Sequence, residues 1–255
     1  MRIATLALGF LLVLLAPTGA HAAVPYPLDR YPVDGVDVAS WQHPGGAAID
    51  WGRVRAAGVD FATVKATEGS RSDSTDYVNP YFRGDFDSAR AHGLPVAPYH
   101  FYLGRTPGTG PAQADQFIAA VRAAGYTGHR PNELPPILDV EWDWKGGCPP
   151  HGTVADVLAW LTRVQAAFGR RPMVYTNATF VVSCLGGSTG LGGYPLQVAD
   201  YHPVPGHPTL PPGWGGWRLW QWTSHSCVDG VPTCNLTRSV YSGSLAQLRR
   251  YANRW

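Results

Sequence analysis

The chain has 255 residues, of which 45% are hydrophobic, 15% are charged and ten are tryptophan, and its formal net charge is +2 at pH 7. Such a composition excludes a disordered chain, and the small net charge excludes the basic surface that nucleic-acid binding uses. At this length we expect one large domain.

The N-terminal segment has the three parts of a secretory signal peptide. Met1-Arg2 is basic, Ile3–Leu15 is an apolar run too short to span a bilayer, and Ala20-His21-Ala22 fits a cleavage site. We therefore expect residues 1–22 to be removed on export. Residues 23–255 would then act outside the cell as a monomer with no membrane attachment.

Four cysteines agree with export, because an even number in an exported chain predicts two disulfides. Three pairings are possible. The short loop between Cys227 and Cys234 favours that pair, which leaves Cys148 with Cys184. The spacing matches no zinc motif, so we expect no metal ion, and we expect no cofactor.

Strand-like and helix-like segments alternate in the first two thirds of the chain. The predicted strands are Val33–Ala39, Val59–Ala66, Leu94–Tyr102 and Pro136–Trp142. The helices between and after them are predicted from Asp50 to before Gly58, over Pro80–His92, from Pro111 to Gly125, and from Thr153 to Gly169. Thr153 and Asp156 have the spacing of a capping box.

The pattern is weaker after Gly169. Further strands are predicted at Arg171–Thr176, Leu196–Tyr201, Trp217–Thr223 and Leu236–Tyr241, with a final helix at Ser244–Tyr251. Repeated β-α units predict parallel strands, and eight strands in about 230 residues suit an α/β fold of the TIM type. We expect an irregular TIM-like β/α barrel with shortened or missing helices in its second half. An open doubly wound sheet is the alternative, although no glycine-rich phosphate loop follows the first strand.

Three acids lie at the ends of predicted strands, where β/α barrels carry their reacting groups. Asp37 ends the first strand, and Asp139 and Glu141 share one face of the fourth because they are two residues apart. Paired carboxylates are typical of glycoside hydrolysis. Nearby tryptophans would keep one acid protonated: Trp41, Trp142 and Trp144. The alternative is that the acids only cap the following loop.

Aromatic residues are concentrated late in the chain, at Trp214, Trp217, Trp220 and Trp222, with Tyr194 and Tyr201 before them. Aromatic faces suit sugar rings, and a role in the core is the alternative.

The ordered motifs of the chain resemble glycoside hydrolase family 25. They are Gly35–Gln42, Ile49–Trp51, Phe61–Gly69, Tyr99–Phe101, Leu138–Glu141, Val174–Thr176 and Leu219–Trp222. That family comprises lysozymes that cut the β-1,4 bond between N-acetylmuramic acid and N-acetylglucosamine in peptidoglycan, and its fold is an irregular β/α barrel. The resemblance covers essentially all of residues 23–255.

By this resemblance Glu141 is the general acid and Asp37 is a further site acid. Asp139 orients the acetamido group of the substrate or acts as the second carboxylate. Peptidoglycan glycan strands are the implied partner. The implied substrate-binding residues are Lys65, Tyr99, Tyr175, Tyr201, Trp220 and Asn235.

The sequence departs from the family in the segment before its final helix. Members carry an aspartate in a V-D-x-N-type segment before F-N-G, and Asn235 stands at that position in our alignment of Cys234–Gly243. Gln197 and Asp200 also stand where the family's W-x-A-x-Y segment is more aromatic. The competing hypotheses are a glycan-binding protein that has lost turnover and a zinc amidase that cuts the stem peptide.

Overall fold

The computed structural model describes residues 27–201 and 206–253, so the predicted signal peptide lies outside the described residues. The strands are β1 Asp34–Val38, β2 Phe61–Glu68, β3 Tyr77–Val78, β4 Val96–Phe101, β5 Ile137–Asp139, β6 Met173–Thr176, β7 Leu196–Ala199, β8 Leu219–Thr223 and β9 Thr237–Tyr241. The α-helices are α1 Trp51–Ala56, α2 Phe82–Ala91, α3 Gly110–Ala123, α4 Val154–Phe168, α5 Ala178–Cys184 and α6 Leu245–Ala252.

Eight of these strands close into a barrel. Parallel pairing runs from β1 through β2, β4, β5, β6 and β7 to β8, and β9 lies between β8 and β1. The two-residue β3 is attached to β2 outside the ring. Because β1 pairs with both β2 and β9, the sheet has no open edge there. The predicted α/β barrel is confirmed, and the open doubly wound sheet is wrong.

The last barrel strand corrects the prediction of a wholly parallel sheet. β9 is antiparallel to both β8 and β1. A parallel neighbour needs a crossover to return the chain to the same end, and that crossover is usually a helix. The loop 224–236 between β8 and β9 contains no helix, so the chain comes back in the opposite direction.

The helices of the second half are short or absent, as predicted. After β6 the chain forms only α5, and no α-helix separates β7 from β8 in the part that the structure describes. The sequence pattern missed α5. This helix begins with a side-chain cap, in which Asn177 Oδ1 accepts from Phe180 N at 2.8 Å.

The expected capping box at the start of α4 forms only in part. Thr153 Oγ1 accepts from Asp156 N at 3.1 Å. The Asp156 carboxylate does not return to Thr153 but accepts from the Tyr102 hydroxyl at 2.6 Å and from Gly110 N at 2.9 Å. A tertiary contact has replaced the local one, and it fixes the start of α3 against α4.

Alternation along the strands divides the barrel interior into an apolar layer and a polar layer. The apolar layer includes Phe61, Ala97, Ile137, Met173 and Leu219, all buried. Gly35 belongs to this level, where a Cβ atom would lie 2.3 Å from the Phe61 ring. Toward the end of the barrel where the parallel strands finish, the buried inward residues become polar: Asp37, Thr63, Asp139, Gln197, Gln221 and Ser239. This polar layer carries the candidate site.

The outer faces of the same strands pack against the helices. Val36, Val64, Leu138 and Val174 belong to one cluster with Phe117 and Trp160 from the helices. No helix among the described residues is long and apolar enough to cross a membrane.

Candidate active site

A pocket of about 250 Å³ opens at the carboxyl ends of the barrel strands. Its wall includes Asp37, Asp139 and Glu141, so the fold brings the three predicted acids together. The aromatic and amide members of the wall include Trp41, Gln42, Tyr99, Tyr175, Gln197, Tyr201, Gln221 and Asn235. Within the described residues, no group of three His, Cys, Asp or Glu side chains is arranged to hold a metal ion.

Asp37 is fixed by four side-chain donors. Its Oδ1 accepts from Thr63 Oγ1 at 2.7 Å and from Gln197 Nε2 at 3.1 Å. Its Oδ2 accepts from Ser239 Oγ at 2.8 Å and from Gln221 Nε2 at 3.0 Å. Burial raises the pKa of Asp37, and these four hydrogen bonds oppose that rise because they favour the charged form. Asp37 is therefore a rigid acceptor at the floor of the pocket.

Asp139 and Glu141 form a coupled pair of acids. Asp139 is the last residue of β5 and is 8% exposed, whereas Glu141 is only partly buried. Burial, followed by the charge of Glu141, raises the pKa of Asp139 well above its usual value. Burial likewise raises the pKa of Glu141 to about 7. Burial and like charge therefore disfavour ionisation of both carboxyls at once.

One oxygen of Asp139 has no hydrogen-bond partner. Its Oδ1 is buried and accepts from no group in the described structure. A buried acceptor without a donor is costly, and such atoms are uncommon in folded proteins. This oxygen belongs to a side chain in the pocket wall, so a ligand N–H or O–H could satisfy it.

Lys65 affects the acids through its charge and is not part of the pocket wall. Its Nζ donates to Glu68 Oε2 at 2.6 Å and lies 4.7 Å from the centre of the Phe101 ring. The positive charge lowers the pKa values of Asp139 and Glu141, against the effect of burial. The contact of Lys65 with substrate stays a prediction.

Replacing Lys65 with Met is expected to extend activity to higher pH. Without the ammonium group the pKa of Glu141 rises further, so Glu141 stays protonated to higher pH and the alkaline limb of the pH–rate profile moves upward. The profile of hydrolysis against pH measures this shift. Lys145→Met is the matched control, because Lys145 is the other lysine of the chain and is exposed. Coincident profiles for the wild type and Lys65→Met would contradict the electrostatic role.

Two tyrosines and a glutamine connect the rim of the pocket to Asp37. The hydroxyls of Tyr175 and Tyr201 both donate to Gln221 Oε1, at 2.9 Å and 2.5 Å. Because this oxygen accepts from both, the amide nitrogen of Gln221 is directed to Asp37. Tyr201 is 41% exposed at the rim. Tyr99 also lines the pocket, where burial raises the pKa of its hydroxyl well above the usual value.

The tryptophans are arranged differently from the expectation. Trp41 is 76% exposed on the pocket wall, and Trp142 packs edge-on against Phe180 with 5.5 Å between ring centres. Trp144 is 67% exposed on the loop after Glu141 and does not line this pocket. Trp144 therefore does not supply the expected apolar surroundings of the acids.

The prediction that Trp220 binds substrate is wrong. Its side chain is fully buried on the outer face of β8, and its Nε1 donates to the carbonyl oxygen of Asp200 at 2.9 Å. Gln221, one residue later, points into the barrel instead. The W-Q motif supplies the pocket with its glutamine, because adjacent strand residues face opposite sides.

A second hollow of about 370 Å³ continues the pocket along the rim. It shares Glu141, Tyr175 and Tyr201 with the first, and Asn177 and Asp200 extend it. Glu141 therefore lies where the two hollows meet. An extended ligand could occupy both and have one of its bonds beside this carboxyl group.

Asn235 lies in the pocket wall, as expected. Asn235 is exposed just before β9, and its carbonyl oxygen accepts from Gln42 Nε2 at 2.5 Å. Thr237 also lines the pocket and donates to the carbonyl oxygen of Asp37 at 3.2 Å. Asn235 and Thr237 therefore place no carboxylate in this part of the wall.

Sequence reasoning missed most of the polar residues around Asp37. Thr63, Gln221 and Ser239 were not singled out, and Gln197 was noted only as a departure from the family pattern. The sequence signal for these residues was a polar side chain at an inward-facing position of an otherwise apolar strand. Which strands face Asp37 depends on barrel closure, and the sequence pattern does not show this.

Comparison with known proteins agrees with this geometry. The family model described as glycosyl hydrolases family 25 matches residues 36–231. The chain belongs to this family. It is a glycoside hydrolase with the family's barrel fold.

Named relatives match over most of the chain. Lysozyme M1 of Streptomyces globisporus is 32% identical over 233 residues, which cover 89% of this chain and 74% of the relative. The N,O-diacetylmuramidase of Chalaropsis sp is 32% identical over 230 residues, covering 86% and 99%. The crystal structure of the lysozyme from Streptomyces coelicolor superimposes with a TM-score of 0.75 at 30% identity, covering 87% of this chain and 97% of that chain.

The pocket of this family 25 glycoside hydrolase contains carboxyl groups. Glycoside hydrolysis uses a proton donor and a second carboxylate beside one glycosidic bond. Three acids line this pocket, and peptidoglycan is the substrate that the family implies.

Proposed function

We propose that this protein is a lysozyme that hydrolyses the β-1,4 bond between N-acetylmuramic acid and N-acetylglucosamine in peptidoglycan. The observation that carries the proposal is the pair Asp139 and Glu141 at the pocket mouth, with a raised pKa at Glu141 and an unpartnered oxygen on Asp139. The names of the relatives support this bond as the target.

Glu141 is the proposed general acid. It is the more exposed member of the pair and belongs to both hollows of the cleft, so a glycosidic oxygen can approach it. Its raised pKa keeps it protonated up to about pH 7. Glu141 gives its proton to the leaving oxygen as the bond to the sugar carbon breaks. Water then adds to that carbon and gives a proton back to Glu141, which completes the hydrolysis and creates a new reducing end.

Asp139 is the proposed partner of the substrate's acetamido group. Its unpartnered Oδ1 accepts the acetamido N–H, which favours the ionised form of Asp139. With Asp139 ionised, the proton resides on Glu141, where the reaction requires it. Asp37, held by four donors beneath the cleft, stabilises the positive charge that develops on the sugar ring.

The test is mass spectrometry of the fragments released from purified peptidoglycan after reduction with borohydride. Reduced N-acetylmuramic acid at the new ends supports the proposal, and reduced N-acetylglucosamine would overturn it. Retention on the wall without released fragments would instead support the glycan-binding alternative. Released amino groups that disappear with a chelator would indicate the zinc amidase.

Asn235→Asp is expected to move the alkaline limb of the activity profile upward by less than Lys65→Met. An added negative charge raises the pKa of Glu141, and the exposed position of residue 235 allows solvent to screen it. pH–rate profiles on one cell-wall substrate measure both shifts, with Asn235→Ser as the uncharged control. An equal shift in Asn235→Ser would contradict the charge argument.

We also propose export, with residues 23–255 as one catalytic domain. The signal-like residues 1–22 and the two disulfides support this localisation. N-terminal sequencing of the protein recovered from culture medium tests it. A mature chain that begins near Ala23 is the expected result.

A further inference from the structure

A separate cavity of about 350 Å³ lies at the opposite end of the barrel from the acids. Its walls come from the segments just before β6, β7 and β8, so it is at the amino ends of these strands. Its lining includes two arginines and three aromatic residues: Arg171, Arg218, Tyr194, Trp214 and Trp217. Tyr194, Trp214 and Trp217 belong to the late aromatic cluster of the sequence and do not line the pocket that holds the acids.

The charge of this cavity is positive. Arg171 and Arg218 are both exposed, and the residues that line the cavity include no aspartate or glutamate. Neither arginine forms an ion pair with a carboxylate within the described ranges. Arg171 instead lies over the Tyr194 ring at 5.0 Å, and Arg218 over Tyr251 at 5.9 Å. A guanidinium group that stacks through its face keeps its N–H donors for an anion in its own plane.

The aromatic walls are fixed by the protein itself. Trp214 Nε1 donates to the carbonyl oxygen of Tyr194 at 2.8 Å. Trp217 is half-buried and packs edge-on against Tyr31 and Trp220, with ring centres 5.0 Å and 5.9 Å apart. Rings held in place before a ligand arrives lose little conformational entropy when it binds.

Three glycines line the cavity at positions where the backbone conformation does not require glycine. Gly193, Gly215 and Gly216 lie outside the left-handed region. A Cβ atom at Gly215 or Gly216 would have no atom within 4 Å, and at Gly193 the nearest is a guanidinium nitrogen of Arg171 at 3.7 Å. Larger residues would fit these backbones, and their side chains would fill the space between the arginines and the rings.

We propose that this cavity is a second carbohydrate site, which binds a sugar ring that carries a carboxylate or phosphate group. The aromatic walls contact the ring and the two arginines bind the anion. This proposal rests on the proposed function only for the source of the sugar, which would be an acidic unit of the cell-wall polymer. Because the two sites lie at opposite ends of the barrel, the cavity can hold one part of the wall while the acids cut another.

Binding is tested by titration of the indole N–H signals of Trp214 and Trp217 in nuclear magnetic resonance spectra. These signals report on the cavity alone, since both rings are at the far end from the acids. The probes are N-acetylmuramic acid, N-acetylglucosamine 6-phosphate and neutral N-acetylglucosamine. Either acidic sugar should shift the signals more strongly than the neutral one, and the stronger of the two identifies the source of the anion. Equal shifts with all three, or no shift, would overturn the proposal.

Two kinds of variant separate charge from shape. Arg171→Ala with Arg218→Ala should weaken binding of the acidic sugar at least tenfold, because the charged hydrogen bonds to its anionic group are lost. Gly216→Leu keeps both charges and should block the cavity. Arg83→Ala with Arg122→Ala removes the same charge from the exposed surfaces of α2 and α3 and should leave binding unchanged.

Activity provides an independent readout. The double arginine variant should hydrolyse intact walls several-fold more slowly than the wild type at low protein concentration, and soluble glycan fragments at the same rate. Equal loss on both substrates would show damage to the fold and overturn the wall-holding role. If the wild type cuts no glycan, the proposed function fails, whereas the indole titration still decides the second site.

Discussion

Replacement of Glu141 by Gln is expected to lower the rate of peptidoglycan hydrolysis by about 100- to 10,000-fold. The amide keeps the shape of the side chain and has no acidic proton to give to the leaving oxygen. Release of reducing ends from cell walls measures the effect. Retention of half of the wild-type rate would remove Glu141 from the role of general acid.

A neighbouring acid supplies the control for this variant. Asp143 is two residues further along the chain and half-buried, and its carboxylate accepts from Gly147 N at 3.0 Å and Lys145 N at 2.9 Å. Asp143→Asn removes a similar charge near the same strand end and should keep most of the activity. A comparable loss in both variants would indicate a general charge effect.

The difference in stability between Glu141→Gln and the wild type should depend on pH. The pKa of Glu141 is about 7 in the folded protein and near 4.5 in the unfolded chain, so the wild type loses stability as pH rises through this interval. The amide side chain of the variant does not titrate. Thermal unfolding curves should therefore nearly coincide at pH 4, and the variant should be the more stable protein at pH 8.

Removal of the disulfide between Cys148 and Cys184 should cause a large loss of stability. The chain-entropy model gives about 4 kcal/mol for this bridge, which joins residues 36 apart, and about 2 kcal/mol for Cys227–Cys234, 7 apart. Cys148→Ser with Cys184→Ser should lower the Tm by roughly 10 °C. The double serine variant of the shorter bridge is the matched comparison, and equal losses would contradict the loop-length argument.

The same bridge has a second role near the site. It connects the loop after Glu141 to the last residue of α5, with the two Cα atoms 5.4 Å apart. This loop and α5 both adjoin the cleft. We therefore expect KM for soluble glycan to rise in the double serine variant even at temperatures where it remains folded.

The sequence by itself determined the order of the elements, the disulfide pairs and the three acids of the pocket. Apolar periodicity and helix caps predicted the β-α units, because both depend on neighbours along the chain. The spacing of Cys227 and Cys234 favoured the observed pairs, and the structure confirms them. Asp37, Asp139 and Glu141 were found because the ends of barrel strands carry the reacting groups.

Only the tertiary structure decided which side chains meet around those acids. Closure by the antiparallel β9 brings Ser239 to Asp37, and the pleat of β8 buries Trp220 while Gln221 enters the pocket. Lys65 acts on the acids through its charge. Asp156 accepts a hydrogen bond from Tyr102 instead of completing the expected capping box. Each depends on contacts between residues far apart in the chain. Local pattern does not contain these contacts, since strand register and side-chain direction are fixed only when the barrel closes.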